Sequence, residues 1–174
     1  MEHGIKEIWT IGHSTRTEAE FMALLNNFSI KTLVDIRTYP GSRRYPHFNS
    51  EHFRRALAEK DIAYYHLPEL GGRRKPLPDS PNTAWRNSSF RGYADHMQSD
   101  EFKKGIEVLQ QLAMTSPTAY MCSESLWWKC HRALVSDYLK NAGWRVYHIQ
   151  NIGKYQEHPF TSPARAVQGN LFYS

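Results

Sequence analysis

The stretch "CSESLWWKCHR", residues 122–132, gathers two cysteines, a glutamate, a histidine and an arginine within eleven positions. Both cysteines of the chain lie in it. A cysteine reacts as its thiolate, which nearby cations and helix N-termini favour. Glu124 is suited to moving a proton or orienting a partner. Cys122 and Glu124 are therefore the candidates for chemistry, with Cys130, His131 and Arg132 as supporting residues. Three other readings compete. A metal could use Cys122, Cys130 and His131, although the C-x7-C-H spacing matches no usual zinc pattern. Both thiols could simply pack, as free cysteines often do. A phosphate-cradling loop needs small residues after its cysteine, and "ESLWW" is too bulky for one.

Positioning such groups requires strands that end beside one another. Short apolar runs at 8–12, 31–37, 62–68, 118–122 and 144–149 read as strands. Between them, 13–28, 51–60, 91–114 and 126–142 carry helical spacing, with Thr15 and Glu18 in capping-box register. Gly143 stands where a helix C′ glycine belongs. The alternation predicts a single α/β domain over 1–174, built on a mainly parallel sheet of five or slightly more strands with helices on both faces. Residues 69–89 form a long aperiodic loop, expected either to be a lid or to be disordered. The tail from about 150 reads as irregular.

In such a fold ligands bind outside the carboxyl ends of the strands. The residues placed there are His13 and Ser14, Asp35 and Arg37, Ser42 and Arg43, His66, Gly71, Gly72 and Arg73, then Cys122 and Glu124, and finally His148. Asp35 and His13 join the catalytic candidates, while Ser14, Arg37, Ser42, Arg43, Gly71, Gly72 and Arg73 are expected to bind substrate. In a helix over 126–142, successive side chains point about 100° apart, so Cys130, His131 and Arg132 cannot all face one crevice. Of Trp127 and Trp128, one is expected in the core. The other, like Tyr39, Tyr45, Phe48 and Trp85, could stack on a planar ring.

Composition narrows the classes. With 40% hydrophobic and 13% aromatic residues, the 174-residue chain can build a core and is not a disordered polymer. No apolar run spans a membrane and no secretion signal is evident, so a cytoplasmic protein is expected. Two cysteines make no disulfide scaffold. The formal charge of +5 is local: residues 36–75 hold nine basic side chains and four acids. That surplus suits an anionic small molecule, a nucleotide or a nucleic acid, or else a solvated basic face. No oligomeric state follows from the pattern.

"TIGHS", "LVDIRTYPGSRRYPHFN", "LGGRR" and "MCSESLWWKCHRALV" together resemble the DUF488 family of bacterial and archaeal proteins. The last block is similar to that family's cysteine-any-glutamate…cysteine-histidine-arginine signature. The resemblance runs from about 9 to 149 and implies a compact α/β domain. It marks His13, Ser14, Asp35, Arg37, Pro40, Ser42, Arg43, Gly71, Gly72, Cys122, Glu124, Cys130, His131 and Arg132 as signature positions, without a reaction. Ser125–Leu126 departs from the proline or acid common in relatives.

Three functions follow as expectations. The first is an enzyme acting on a phosphorylated, nucleotide or nucleic-acid base substrate, with no cofactor evident. The second is a non-enzymatic nucleic-acid or anion-binding module with buried cysteines. The third is a Cys/His metal protein.

Overall fold

The structure is a computed structural model that describes residues 4–174. Strands β1 (Glu7–Gly12), β2 (Thr32–Asp35), β3 (Ala63–His66), β4 (Thr118–Cys122), β5 (Arg145–Asn151) and β6 (Lys154–Glu157) form one sheet in the order β3-β2-β4-β1-β5-β6. All neighbours run parallel except β5 and β6. The helices are α1 (Glu18–Asn27), α2 (Ser50–Glu59), α3 (Ser88–His96), α4 (Asp100–Thr115) and α5 (Arg132–Asn141). No helix among the described residues is long and apolar enough to cross a membrane.

Successive strand residues point to opposite faces, and two cores result. Leu33, Ala119 and Met121 pack with Phe21, Leu25, Phe53 and Leu57 of α1 and α2. Their neighbours Val34 and Tyr120 pack with Tyr93, Phe102, Leu109 and Leu134 of α3, α4 and α5. β4 is buried along its whole length, as a central parallel strand must be.

The chain leaves β1 toward β2 and leaves β4 toward β5, crossing in opposite directions. A crevice therefore opens where β1 and β4 end side by side, with Gly12 paired to Cys122.

Four details differ from the sequence reading. The capping box of α1 is Thr17 with Glu20, two residues later than expected. The stretch 91–114 is two helices, because the Ser99 hydroxyl accepts from the Phe102 amide and starts a new one. The segment 126–142 begins as a 3₁₀ turn (Trp127–Lys129), and the regular helix starts only at Arg132. Cys130 between them is extended (φ −136°, ψ 156°), and this frees it and His131 from helical geometry. The tail is not irregular: β5 turns through Gly153 into β6, and β7 (Arg165–Val167) pairs with β8 (Asn170–Phe172). Gln168 and Gly169, both at positive φ, make that second turn.

The loop before α3 is held rather than loose. The Asp95 carboxylate accepts from Leu77 N, Ser80 Oγ and Asn82 Nδ2, while Trp85 packs on Phe90 and Tyr173.

Candidate functional site

Two adjoining cavities, of about 350 and 390 Å³, open at the crevice. The first is walled by Cys122, Cys130, His131, Gly72, Tyr93 and Lys129, and the second by His13, Ser14, Ser42 and Tyr45. Arg37, Arg73 and Glu124 border both. Their size is that of a small-molecule site. Glu124 is the one carboxylate among the lining residues, against three cations.

The sulfurs of Cys122 and Cys130 are in contact at 2.7 Å. Burial alone would raise the Cys130 thiol. The Cys122 thiol, the Arg132 guanidinium and the Arg132 amide (3.5 Å from Cys130 Sγ) outweigh it and bring Cys130 down to about 7. Burial, and then the hydrogen bond between the two sulfurs, push Cys122 well above the usual thiol range. The helix N-terminus that the sequence suggested for Cys122 thus serves Cys130, because α5 begins two residues after it.

His131 donates from Nε2 to the Ile36 carbonyl (3.0 Å), which leaves Nδ1 of the neutral ring as the acceptor, 3.4 Å from Cys130 Sγ. Burial lowers its pKa, consistent with a neutral ring. Gly72 stands against this imidazole: a Cβ there would lie 2.8 Å from Nδ1. Gly12 is required for a related reason, since a Cβ would overlap the Glu124 carbonyl.

Arg132 turns inward and lines neither cavity. It is 1% exposed and ties the 122–125 loop by donating to the carbonyls of Glu124 (2.6 Å) and Ser125 (3.2 Å). Its Nη1 donates to Thr10 Oγ1. From Thr10 a buried chain continues through His148 (2.6 Å) and His158 (2.8 Å) to Asp137 (2.8 Å). Thr161 and Tyr173 also donate to Asp137. Burial holds His148 at about 2, hence neutral. The donors at the two ends are fixed: Arg132 Nη1 donates to Thr10 Oγ1, and Asp137 accepts from Thr161 Oγ1 and Tyr173 OH.

Asp35 lies behind the cavities, fully buried. It accepts from Arg37 N, Nε and Nη2 and from Tyr64 OH, leaving no oxygen turned to substrate. This ion pair fixes Arg37 and, through Arg37 Nη2, the Phe48 carbonyl. His13 stacks on Phe48 and donates from Nδ1 to Ser14 O. Burial lowers it to about 4, so its Nε2 is an acceptor at neutral pH.

Of the other expected residues, Arg43 and Gly71 line neither cavity. The Ser42 hydroxyl accepts from the amides of Arg44 and Tyr45. His66 donates to the Arg37 carbonyl. The nine basic side chains of 36–75 do not converge: Arg37 is paired with Asp35, Arg74 lies 3.5 Å from Glu101, and Arg37 and Arg73 alone reach the cavities. Trp127 is the buried tryptophan, stacked on His148 at 4.5 Å, and exposed Trp128 lines neither cavity. Phe48 and Trp85 are also packed, which leaves Tyr39 and Tyr45 of the expected aromatics at the cavity walls.

Lys129, Phe90 and Tyr93 are cavity residues that sequence reasoning missed. Lys129 was visible next to Cys130, whereas α3 gave no signal of its approach. No group of three or more His, Cys, Asp or Glu side chains among the described residues is arranged to hold a metal ion. Of the trio Cys122, Cys130 and His131, the histidine already commits its Nε2 to a carbonyl.

Fold and site together define an α/β protein with a thiol-bearing cavity at the carboxyl edge of a mainly parallel sheet. The chain belongs to the family described as "Domain of unknown function DUF488", whose model matches residues 17–139. No curated protein and no solved structure matches it.

Proposed function

We propose that this chain is a thiol-dependent enzyme acting on an anionic substrate of nucleotide size, with Cys130 as its nucleophile. The observation that carries this reading is the setting of the Cys130 sulfur in a cavity wall, against Cys122 Sγ, the Arg132 amide and His131 Nδ1. Arg73 and Lys129 supply positive charge for the anion, since guanidinium groups suit phosphate. Arg37 contributes charge from a fixed position. Tyr39, Phe90 and Tyr93 offer aromatic faces to a base or another planar group.

In this reading Cys130 attacks as the thiolate, His131 Nδ1 accepts or returns a proton, and Glu124 serves as acid or base at the mouth. Cys122 keeps its proton and stabilises its neighbour. Arg132 and Asp35 act from behind, the first by its charge near the sulfurs and the second by fixing Arg37.

The low exposure of the two cysteine residues, 2% for Cys122 and 8% for Cys130, favours a second reading as a non-enzymatic anion-binding module. Calorimetry and turnover assays with nucleoside monophosphates, sugar phosphates and short single-stranded oligonucleotides separate the two. The enzyme reading expects conversion of a bound compound that Cys130→Ser abolishes while binding persists. Binding without conversion by the wild type, unchanged in Cys130→Ser, would establish the module instead.

A further inference from the structure

We infer that Cys122 and Cys130 form an attacking and resolving thiol pair, through which the cavity reduces small anionic disulfides. This rests on the same assignment of Cys130 as the reactive sulfur, but it adds a role for Cys122 that nucleophilic catalysis does not need.

The two sulfurs come from different elements, the end of β4 and the approach to α5, and the fold brings them into contact across one cavity. They are chemically unequal. Cys130 has the Arg132 amide and guanidinium beside it, whereas Cys122 Sγ faces the Glu124 carbonyl at 3.6 Å, a partner that suits a protonated thiol. One ionised and one protonated thiol in contact are the two components thiol–disulfide exchange requires. Arg73 and Lys129 at the same cavity select a disulfide that carries negative charge.

The steps balance. The Cys130 thiolate attacks one sulfur of R–S–S–R, forming Cys130–S–S–R and expelling RS⁻. Cys122 gives its proton to His131 Nδ1 or to the departing thiolate and attacks Cys130 Sγ, expelling the second RS⁻. The disulfide substrate is reduced to two thiols, and Cys122–Cys130 is oxidised to an internal disulfide. An external dithiol restores it.

Glutathione disulfide is the probe, and intact-protein mass spectrometry the readout. The wild type should become lighter by two hydrogen atoms, release two glutathiones and regain its mass with dithiothreitol. Cys122→Ser should stop at one glutathione on Cys130, and Cys130→Ser should leave its remaining thiol, Cys122, unreacted. Arg73→Ala should slow the reaction about tenfold with glutathione disulfide but not with neutral hydroxyethyl disulfide, the loss expected of one charge-assisted contact.

A wild type that accumulates a stable glutathione adduct as fast as Cys122→Ser would overturn the pair and leave Cys130 as a nucleophile. Lack of reaction with the disulfide, while Cys130 alkylates readily with iodoacetamide, would also overturn the pair alone. Failure of both reagents would remove the Cys130 assignment itself. If Cys122→Ser does not fold, peptide mapping of the oxidised wild type decides: a 122–130 crosslink supports the pair, and its absence refutes it.

Discussion

Arg132 and Asp137 sit on the same helix, yet the hydrogen bonds that join them run through Thr10, His148 and His158, contributed by β1, β5 and the segment after β6. A buried cation and a buried carboxylate are thus linked through a threonine and two histidines instead of direct contact. The chain clamps α5 to two strands and to the C-terminal hairpins, where Tyr173 closes it. It also fixes the guanidinium that holds the Glu124 carbonyl and lies beside the sulfurs.

Asp137→Asn should therefore be costly. An amide cannot compensate the buried guanidinium, nor accept from all the groups that now donate to Asp137. A loss of about 1–3 kcal/mol is expected, the scale for leaving a buried donor unsatisfied. Urea denaturation measures it. The same variant should slow Cys130 alkylation at neutral pH, because Arg132 loses its anchor.

Acid should weaken the fold earlier than carboxylate titration alone implies. His13 and His148 are held at about 4 and about 2 in the folded chain, against an ordinary value near 6.5. Below about pH 6.5 the unfolded chain binds protons that these buried rings refuse, so stability falls as pH falls. Each contributes a slope of about 1.4 kcal/mol per pH unit. For His13 it ends near its folded value of about 4, and for His148 it continues toward about 2. Denaturation midpoints across that range check the slope, and His148→Gln should flatten it.

Two glycines at the same cavity should respond differently to alanine. At Gly72 a Cβ meets the His131 ring, whereas at Gly41 it meets nothing within 4 Å. Gly72→Ala should lose about 1–3 kcal/mol, the usual range for overpacking. Gly41→Ala should stay within about 0.5 kcal/mol of the wild type. Thermal unfolding of the two variants side by side tests this.

Much of this was legible from local patterns. The β4 run at 118–122 and the strand-end positions of His13, Arg37, Gly72, Arg73, Cys122 and Glu124 follow from periodicity and the ligand-edge rule. What local pattern missed had long-range causes. The Thr10–His148–His158–Asp137 chain joins side chains far apart in sequence, and nothing near any one of them marks its partner. The split between Cys130 and Cys122 depended on where α5 starts, and the Trp127–Lys129 turn moved that start. The C-terminal hairpins rest on short exposed strands whose signal is mainly their turn glycines, Gly153 and Gly169.

The most direct measurement is the rate of iodoacetamide alkylation at each cysteine, followed by peptide mass spectrometry from about pH 5 to about pH 10, a range spanning the thiol titrations concerned. Cys130 should react first, with a midpoint near 7, and Cys122 should stay protected until well above that. A Cys130 midpoint near the ordinary thiol value of about 8.5, or faster reaction at Cys122, would contradict the assignment of Cys130 as the ionised sulfur of the site.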